Sequence, residues 1–146
     1  MVRSDRNGTA VIPNGFTYRP LPTFLGINPN NGPLAGGTII AVDGSDFRGT
    51  VTVTIDGALA TGVTVNTSFT SLTAITPPSP SGIGPKDVVV NTTGAGSVTQ
   101  PLGFTYNPTP TVILIIPNQG PVAGGNVIQI DGAGFRHTVN VSIDNV

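Results

Sequence analysis

The sequence NPNNGPLAGGTIIAVDGSDFRGTVTVTID at residues 28–56 occurs a second time in the chain in a closely similar form. It returns as IPNQGPVAGGNVIQIDGAGFRHTVNVSID at residues 116–144, a displacement of 88 residues without a gap. Extended outward, the comparison pairs residues 7–58 with residues 95–146, and 27 of these 52 pairs are identical. Self-similarity at a fixed period is typical of repeat proteins, so the sequence predicts one structural unit used more than once.

The phase of the repeat predicts where the units begin and end. Residues 1–19 match the C-terminal end of a unit, residues 20–107 form a complete unit, and residues 108–146 match the N-terminal part of a further unit. Part of a unit by itself exposes an apolar face and unpaired strand edges. We therefore expect either a window of a longer array or partial units that neighbouring copies complete. The window is favoured, because the two partial units together lack a counterpart of residues 59–94.

The composition predicts an all-β fold. The chain has seven Asp, no Glu, five Arg and one Lys, whereas Thr and Gly number 20 each, Pro 14 and Asn 12. Glu and Lys favour helices, Thr with Val and Ile favours strands, and Gly, Pro and Asn favour turns. In residues 50–55, Val51, Val53 and Ile55 alternate with threonine, which is the period of a half-buried strand.

Short strands separated by turn signals fill the complete unit. Asp43-Gly44 is interpreted as a turn that closes a strand, and Asp56-Gly57 as the turn of a hairpin. About seven short strands in fewer than 90 residues predict a β-sandwich. The predicted strands cover residues 23–27, 38–42, 50–55, 58–65, 71–75, 87–91 and 97–106.

The ordered motifs of the unit resemble the IPT/TIG domain, which has an immunoglobulin-like fold. The resemblance rests on Pro22, NPNNGPLAGGT at 28–38, Gly44 to Phe47 (G-x-x-F), V-x-V-x-I-D-G at 51–57, TPP at 76–78, DVVV at 87–90 and GFTYNP at 103–108. It implies tandem immunoglobulin-like β-sandwiches with an 88-residue repeat. Domains of this family occur in cell-surface receptors, bacterial surface proteins, glycan-active enzymes, phage structural proteins and Rel-type transcription factors. The resemblance therefore implies a fold more firmly than a function.

Several function classes are disfavoured by the residues that the chain lacks. There is no Cys and no Glu, and the single histidine, His137, aligns with Gly49 of the complete unit, so we expect no enzyme. The net charge of −1 and the absence of a basic stripe argue against nucleic-acid binding. No apolar run approaches the roughly 20 residues that span a bilayer, so no membrane span is expected in this segment.

The aspartates are the residues to consider for a metal. Asp43, Asp46 and Asp56 lie near predicted turns, and Asp131 and Asp144 repeat two of them. Calcium binds clustered oxygen ligands, but aspartate before glycine also forms tight turns without a metal. The sequence predicts no cofactor, with calcium left as an alternative.

Glycosylation is the covalent chemistry that the sequence allows. Sequons of the N-x-S/T type occur at Asn7, Asn66, Asn91 and Asn140, where about two would arise by chance. Exposed threonines such as Thr52 and Thr54 are candidates for O-glycans. Covalent glycans would help a β-rich surface with few charges to stay soluble.

Alternating prolines mark the junctions between units. They hold a chain extended and semi-rigid, and four of them are interpreted as linkers: Pro20, Pro22, Pro108 and Pro110. We therefore expect a structural repeat segment of an extracellular fibre, filament or surface adhesin, whose rigid domains stack head to tail on neighbouring copies or repeats. An extracellular or cell-surface location follows from this interpretation.

The alternative is a glycan- or protein-binding module of a larger surface protein or secreted enzyme. Such a module needs an exposed aromatic side chain. Phe47, Phe104 and Tyr106 recur in the repeat and are interpreted as core residues. Phe69 is the spare aromatic and the candidate binding residue of this alternative.

Overall fold

A computed structural model describes residues 2–4, 8–136 and 139–143, with side chains from residue 11 onward. These residues form strands and no helix, which confirms the predicted all-β class. The strands are β1 (Val2–Ser4), β2 (Gly8–Ala10), β3 (Thr23–Asn28), β4 (Asn31–Pro33), β5 (Ile39–Ser45), β6 (Val51–Ile55), β7 (Ala58–Leu59), β8 (Thr61–Val65), β9 (Ser71–Ile75), β10 (Gly84–Thr92), β11 (Gly96–Asn107), β12 (Thr111–Ile116) and β13 (Gln129–Ala133).

Strands β3 to β11 form a two-layer sandwich. One sheet has the order β3-β5-β9-β8 and the other the order β4-β11-β10-β6-β7. Neighbouring strands are antiparallel, except that the short β4 runs parallel to the end of β11. This arrangement confirms the immunoglobulin-like sandwich that the sequence predicts.

The core lies between the two sheets and follows the alternation of the strands. In β5, Ile40 and Val42 are buried while Ile39 and Asp43 face solvent. The rings of Phe104 and Tyr106 meet edge to face, with centroids 5.1 Å apart. The buried apolar residues are Ile40, Val42, Phe47, Val53, Ile55, Ala60, Leu72, Ala74, Val88, Val90, Phe104 and Tyr106.

The predicted strand at residues 58–65 is in fact two strands in different sheets. Strand β7 pairs with β6, whereas β8 pairs with β9 of the opposite sheet. The chain passes between the sheets at Ala60, which is buried and donates its N–H to the carbonyl of Val53 at 2.8 Å. Because β7 has only two residues and no proline separates it from β8, the sequence pattern alone does not reveal the change of sheet.

The predicted turn at Asp43-Gly44 was wrong, because both residues lie inside β5. A Cβ on Gly44 would collide with the carbonyl of Thr23 and would lie 2.5 Å from the ring of Phe47. The glycine therefore allows β3 and a core ring to approach the backbone closely. The predicted loop at residues 28–37 was also incomplete, since it contains the short strand β4.

Strand registers recur after 88 residues. The pairs Thr23↔Ser45 and Asn28↔Ala41 of β3–β5 return as Thr111↔Ala133 and Ile116↔Gln129 of β12–β13, with the register shift at the same place. The N-terminal hairpin β1–β2 repeats the register of β10–β11. Its pairs Val2↔Ala10, Arg3↔Thr9 and Ser4↔Gly8 correspond to Val90↔Val98, Asn91↔Ser97 and Thr92↔Gly96. Residues related by the sequence repeat thus adopt the same backbone pairing.

The second copy of the β3–β5 segment is less covered than the first. Phe135 is 39% exposed, whereas its counterpart Phe47 is 1% exposed. Ile143 is 64% exposed, whereas its counterpart Ile55 is fully buried. In the complete unit the sheet that faces β3 and β5 contains β10 and β11, and the described residues of the second copy include no counterpart of these two strands.

We predict that Phe104→Ala lowers the free energy of unfolding by about 3–5 kcal/mol, because it leaves a cavity beside Tyr106 between the two sheets. Chemical denaturation followed by circular dichroism measures this loss. Leu25→Ala, which truncates an exposed leucine of β3, should change stability by less than about 0.5 kcal/mol. Equal losses in the two variants would contradict the assignment of the core.

Candidate functional site

A groove with charged and aromatic side chains lies where the chain enters the complete unit. It has a volume of about 620 Å³ and separates the incoming segment from two loops at the leading end of the sandwich. We call it the first joint groove. It is lined by Thr17, Tyr18, Arg19, Pro20, Asp46, Arg48, Gly49 and Phe69.

Arg48 is the central charged side chain of this groove. Its Nε lies 3.3 Å from Oδ1 of Asp46, and its guanidinium carbon lies 4.3 Å from the centroid of the Phe69 ring. The two charged side chains are 48% and 28% exposed, so the ion pair contributes at most about 1 kcal/mol. Its main effect is to fix the direction of the guanidinium and to cover one face of the aromatic ring.

The loops on either side of Arg48 are tied together by backbone hydrogen bonds. Phe47 donates its N–H to the carbonyl of Phe69 at 3.1 Å, and Gly44 donates to the carbonyl of Thr70 at 2.8 Å. Phe69 is half-buried and has a φ of +60°, an uncommon conformation for a bulky residue. The two loops, residues 45–49 and 66–70, are therefore tied together beside the Phe69 ring.

Asn66 stabilises the same loop from within. Its Oδ1 accepts hydrogen bonds from the N–H groups of Thr70 and Ser71 at 2.9 and 3.2 Å. Its Nδ2 donates to Oγ1 of Thr70 at 3.0 Å. The side-chain amide of this predicted glycosylation site is thus engaged in holding the loop.

The other candidate glycosylation positions are dispersed over the surface. Asn91 is exposed on β10. Thr52, which pairs with it, and Thr54 lie on the outer face of β6. Both threonines are half-buried, although the sequence predicts them to be exposed. Asn140 is exposed, and Asn7 lies outside the described residues. The structure does not bring these positions together into one site.

A second groove lies at the next junction and repeats the first. It has a volume of about 430 Å³ and is lined by Asn30, Asn31, Thr105, Asn107 and Arg136. We call it the second joint groove. Thr105 and Arg136 stand 88 residues after Thr17 and Arg48, so equivalent residues line both grooves.

Asparagines organise the trailing end of the unit at the second joint groove. Asn107 donates from Nδ2 to Oδ1 of Asn31 at 3.0 Å, and Asn31 donates from Nδ2 to Oδ1 of Asn30 at 3.1 Å. The N–H of Thr105 donates to the carbonyl of Asn30 at 2.9 Å. The last residue of β11 is therefore fixed to the β4 loop immediately before the linker begins.

The linker prolines differ in their surroundings. Pro22 is buried, whereas Pro20, Pro108 and Pro110 are exposed. Residues 108–110 are all that separates β11 from β12. Pro108 and Pro110 thus lie in this three-residue connection, whereas Pro20 and Pro22 lie at the end of the longer segment between β2 and β3.

The aspartates considered for calcium lie apart. Asp43 is on the outer face of β5, Asp46 pairs with Arg48, and Asp56 accepts hydrogen bonds from two serines. Within the described part of the chain, no three His, Cys, Asp or Glu side chains are close enough together to hold a metal ion.

Asp56 forms a clip that the sequence did not indicate. Its carboxylate accepts hydrogen bonds from the hydroxyl of Ser79 at 2.9 Å and from the hydroxyl and N–H of Ser81 at 2.7 and 3.0 Å. Nζ of Lys86 lies 4.0 Å from the carboxylate and donates to Oγ of Ser81 at 2.6 Å. These contacts fasten the loop before β10 to the β6–β7 hairpin. The serines follow Asp56 by more than 20 residues, so no local spacing predicts the clip.

Two ionisable groups near the clip have shifted pKa values. Hydrogen bonds from Ser81, first from its hydroxyl and then from its N–H, lower the pKa of Asp56 below its ordinary value. Burial, with a smaller contribution from the charge of Asp56, raises the pKa of Tyr106 to about 12. The Tyr106 hydroxyl donates to the carbonyl of Pro77 at 2.6 Å, so it anchors the other end of the same loop.

The family model of the IPT/TIG domain matches residues 22–106. The chain belongs to the IPT/TIG domain family. The matched range coincides closely with the two-sheet sandwich, and it confirms the family that the motifs indicated. Plexins are among the curated relatives of this IPT/TIG chain.

Two plexins show the extent of the similarity. Plexin A3 of Danio rerio is 28% identical over 115 residues, which cover 79% of this chain and 6% of that protein. Plexin-B3 of Mus musculus is 31% identical over 132 residues, which cover 85% of this chain and 7% of that protein. The IPT/TIG chain therefore spans less than a tenth of the length of these relatives.

Solved structures give a consistent picture. The full extracellular region of Plexin A4 matches with a TM-score of 0.52 at 25% identity, covering 76% of this chain and 9% of that one. SGBP-B from a complex xyloglucan utilization locus of Bacteroides uniformis matches with a TM-score of 0.50 at 26% identity, covering 60% and 24%. These similarities confirm the predicted extracellular or cell-surface location and indicate an immunoglobulin-like module of a surface protein. Among the described residues, no helix is long and apolar enough to cross a bilayer.

We predict that the Asp56 clip makes stability depend on pH. Because the folded pKa of Asp56 lies below its ordinary value of 3.8, the stabilisation is complete above that value and is lost as the pH falls through the folded pKa. Denaturant titrations between about pH 6 and pH 2 measure this dependence. At about pH 6 the free energy of unfolding of Asp56→Asn should be lower than that of the wild type, and it should fall less steeply as the pH is lowered. Asp43→Asn, which alters an exposed carboxylate outside the clip, should keep the wild-type decline; a shallower decline there as well would refute the assignment.

Proposed function

We propose that the chain is a non-catalytic, rigid spacer in a larger surface or secreted protein, built from IPT/TIG units that follow one another in tandem. The observation that carries this proposal is the recurrence of the joint. Equivalent residues, 88 positions apart, line a groove at both junctions. A spacer needs its units to be connected in a defined direction, and a repeated joint supplies that direction.

The short linker supports a stiff connection. Strand β11 ends at Asn107, whose side chain is hydrogen-bonded to Asn31, and β12 begins at Thr111. The three residues between them span at most about 10 Å, and two of them are prolines with a restricted φ. A connection of this kind leaves little freedom for one unit to turn relative to the next.

Neighbouring units of the same kind are the proposed partners, and no cofactor is required. Serial units joined in this way would form the shaft of a fibre, filament or adhesin. Glycans at exposed positions such as Asn91 and Asn140 belong to the same proposal, because they would keep a surface with few charges soluble. The plexin extracellular region, which is similar to this chain, supports the surface setting.

We predict that spin labels placed on the two sides of the second joint report one narrow distance distribution. The chain has no cysteine, so Thr99→Cys on β11 and Gln129→Cys on β13 give unique attachment sites. Replacing both Pro108 and Pro110 by glycine should at least double the width of the distribution measured by double electron–electron resonance, because glycine frees φ. A wild-type distribution as broad as that of the glycine variant would reject the rigid spacer.

Binding of a glycan at the leading loops is the second candidate function. The similarity to SGBP-B favours it, since that protein comes from a xyloglucan utilization locus. Phe69 offers a half-buried ring, and one of its faces is already covered by Arg48. The uncovered face and the nearby charged groups are what remains for a sugar ring.

This second function predicts that Phe69→Ala lowers affinity for xyloglucan oligosaccharides at least tenfold in isothermal titration calorimetry. The physical reason is the loss of the aromatic face on which a sugar ring would stack. Leu25→Ala, an equally simple truncation of an exposed apolar side chain on β3, should bind like the wild type. Absence of binding by the wild-type chain removes this candidate and leaves the spacer proposal intact.

A further inference from the structure

We infer that the loop pair at the leading end of each unit, residues 45–49 and 66–70 in the complete one, is the docking surface for the end of the preceding unit. We further infer that the residue at the position shared by Asp46 and Gly134 sets how closely the two units approach. The inference rests on the proposed spacer function, because it concerns how that spacer is joined. It assigns the contact to particular residues rather than to the prolines alone.

The second joint shows a direct contact between linker and loop. A Cβ built on Gly134 would lie 3.0 Å from the carbonyl oxygen of Thr109 and 3.1 Å from Cα of Pro110. Both neighbours are backbone atoms, which cannot turn aside as the end of a long side chain can. The linker therefore lies directly on the loop backbone, and any side chain at this position must displace it.

The first joint has a side chain at the equivalent position. Asp46 stands 88 residues before Gly134 and has a similar backbone conformation, with φ of +57° against +76°. Its carboxylate pairs with Arg48 and lies 3.4 Å from Oγ of Ser45. The first joint thus has a side chain at a position where the second joint has none.

The two incoming segments have different surroundings. Pro22 is buried, whereas its counterpart Pro110 is exposed. Leu21 reaches towards the β10–β11 turn, where a Cβ on Gly96 would lie 2.8 Å from its Cδ2. Its counterpart, Thr109, instead lies against Gly134. The described residues of the second copy contain no counterpart of the β10–β11 turn, so the contact between the linker and Gly134 is the observation that carries the inference.

The difference between Asp46 and Gly134 also changes the surroundings of the arginine that both units have two positions later, Arg48 and Arg136. Arg48 is held within its own unit by Asp46 and Phe69. Arg136 has a glycine at the position of Asp46, and it lines the second joint groove with Asn31 and Thr105 of the preceding unit. A guanidinium with five N–H donors is suited to the amide and hydroxyl oxygens found there. The arginine thus lines the groove at both joints, but at the second joint its own unit has no carboxylate at the position of Asp46.

The test introduces a side chain at Gly134 in the whole chain. Gly134→Asn is suitable because asparagine tolerates a positive φ, and the spin labels at positions 99 and 129 report the geometry of the joint. We expect the mean distance to shift by several ångströms or the distribution to widen at least twofold. Gly124→Asn is the matched control, because Gly124 lies in the same segment with φ of +74° and a Cβ there would meet nothing within 4 Å.

Hydrogen exchange at the Ile115↔Ile130 pair of β12–β13 checks that the segment stays folded in both variants. A change in Gly134→Asn alone, with exchange at this pair unchanged, supports the docking surface. An unchanged distribution in Gly134→Asn, or the same change in Gly124→Asn, overturns it. If the wild-type distribution is narrow and Gly134→Asn has no effect, the spacer proposal stands and only the docking surface fails.

Discussion

Burial of Phe104 and Tyr106 at the end of β11 is the interaction on which the rest of the unit depends. The two rings fill the space between the sheets, and the Tyr106 hydroxyl binds the carbonyl of Pro77. Strand β11 also joins β10 on one side to β4 on the other. The chain contains no cysteine, so no disulfide shares this task, and the unit is held by apolar burial and strand pairing. The linker starts at Pro108, directly after Asn107 and two residues after Tyr106.

In the proposed spacer, that closeness would tie the direction of the linker to the core of the unit. Because the last core residue lies two positions before the linker, the direction in which the chain leaves is set by the core itself. The hydrogen bond between Asn107 and Asn31 fixes the remaining residue. The next unit begins its first strand at Thr111, and the loops of that unit meet the linker from the other side. The proposed stiffness would therefore come from packing at both ends of the joint as well as from its prolines.

In the proposed array, small differences between repeated units would give each joint its own geometry. Most core positions of the two copies are identical or similar in the sequence, and the strand registers coincide. The change from Ser45-Asp46 to Ala133-Gly134 lies outside the core, at the surface that meets the preceding unit. Such a position can vary without loss of the fold, since no core contact depends on it. Variation there would allow an array of equal units to bend differently from joint to joint.

The period of 88, the all-β class and the IPT/TIG family follow from the sequence alone, because repeats, period-2 alternation and ordered motifs are local patterns. The proline spacing predicts where the linkers lie. Only the tertiary structure decided that the chain changes sheets at Ala60, that Gly44 lies inside a strand, and that Asp56 holds a loop through Ser79 and Ser81. It also decided which face of Phe69 is covered and where Gly134 meets the linker. These features join residues far apart in the sequence, or depend on how closely two backbones approach, and neither property leaves a local pattern to read.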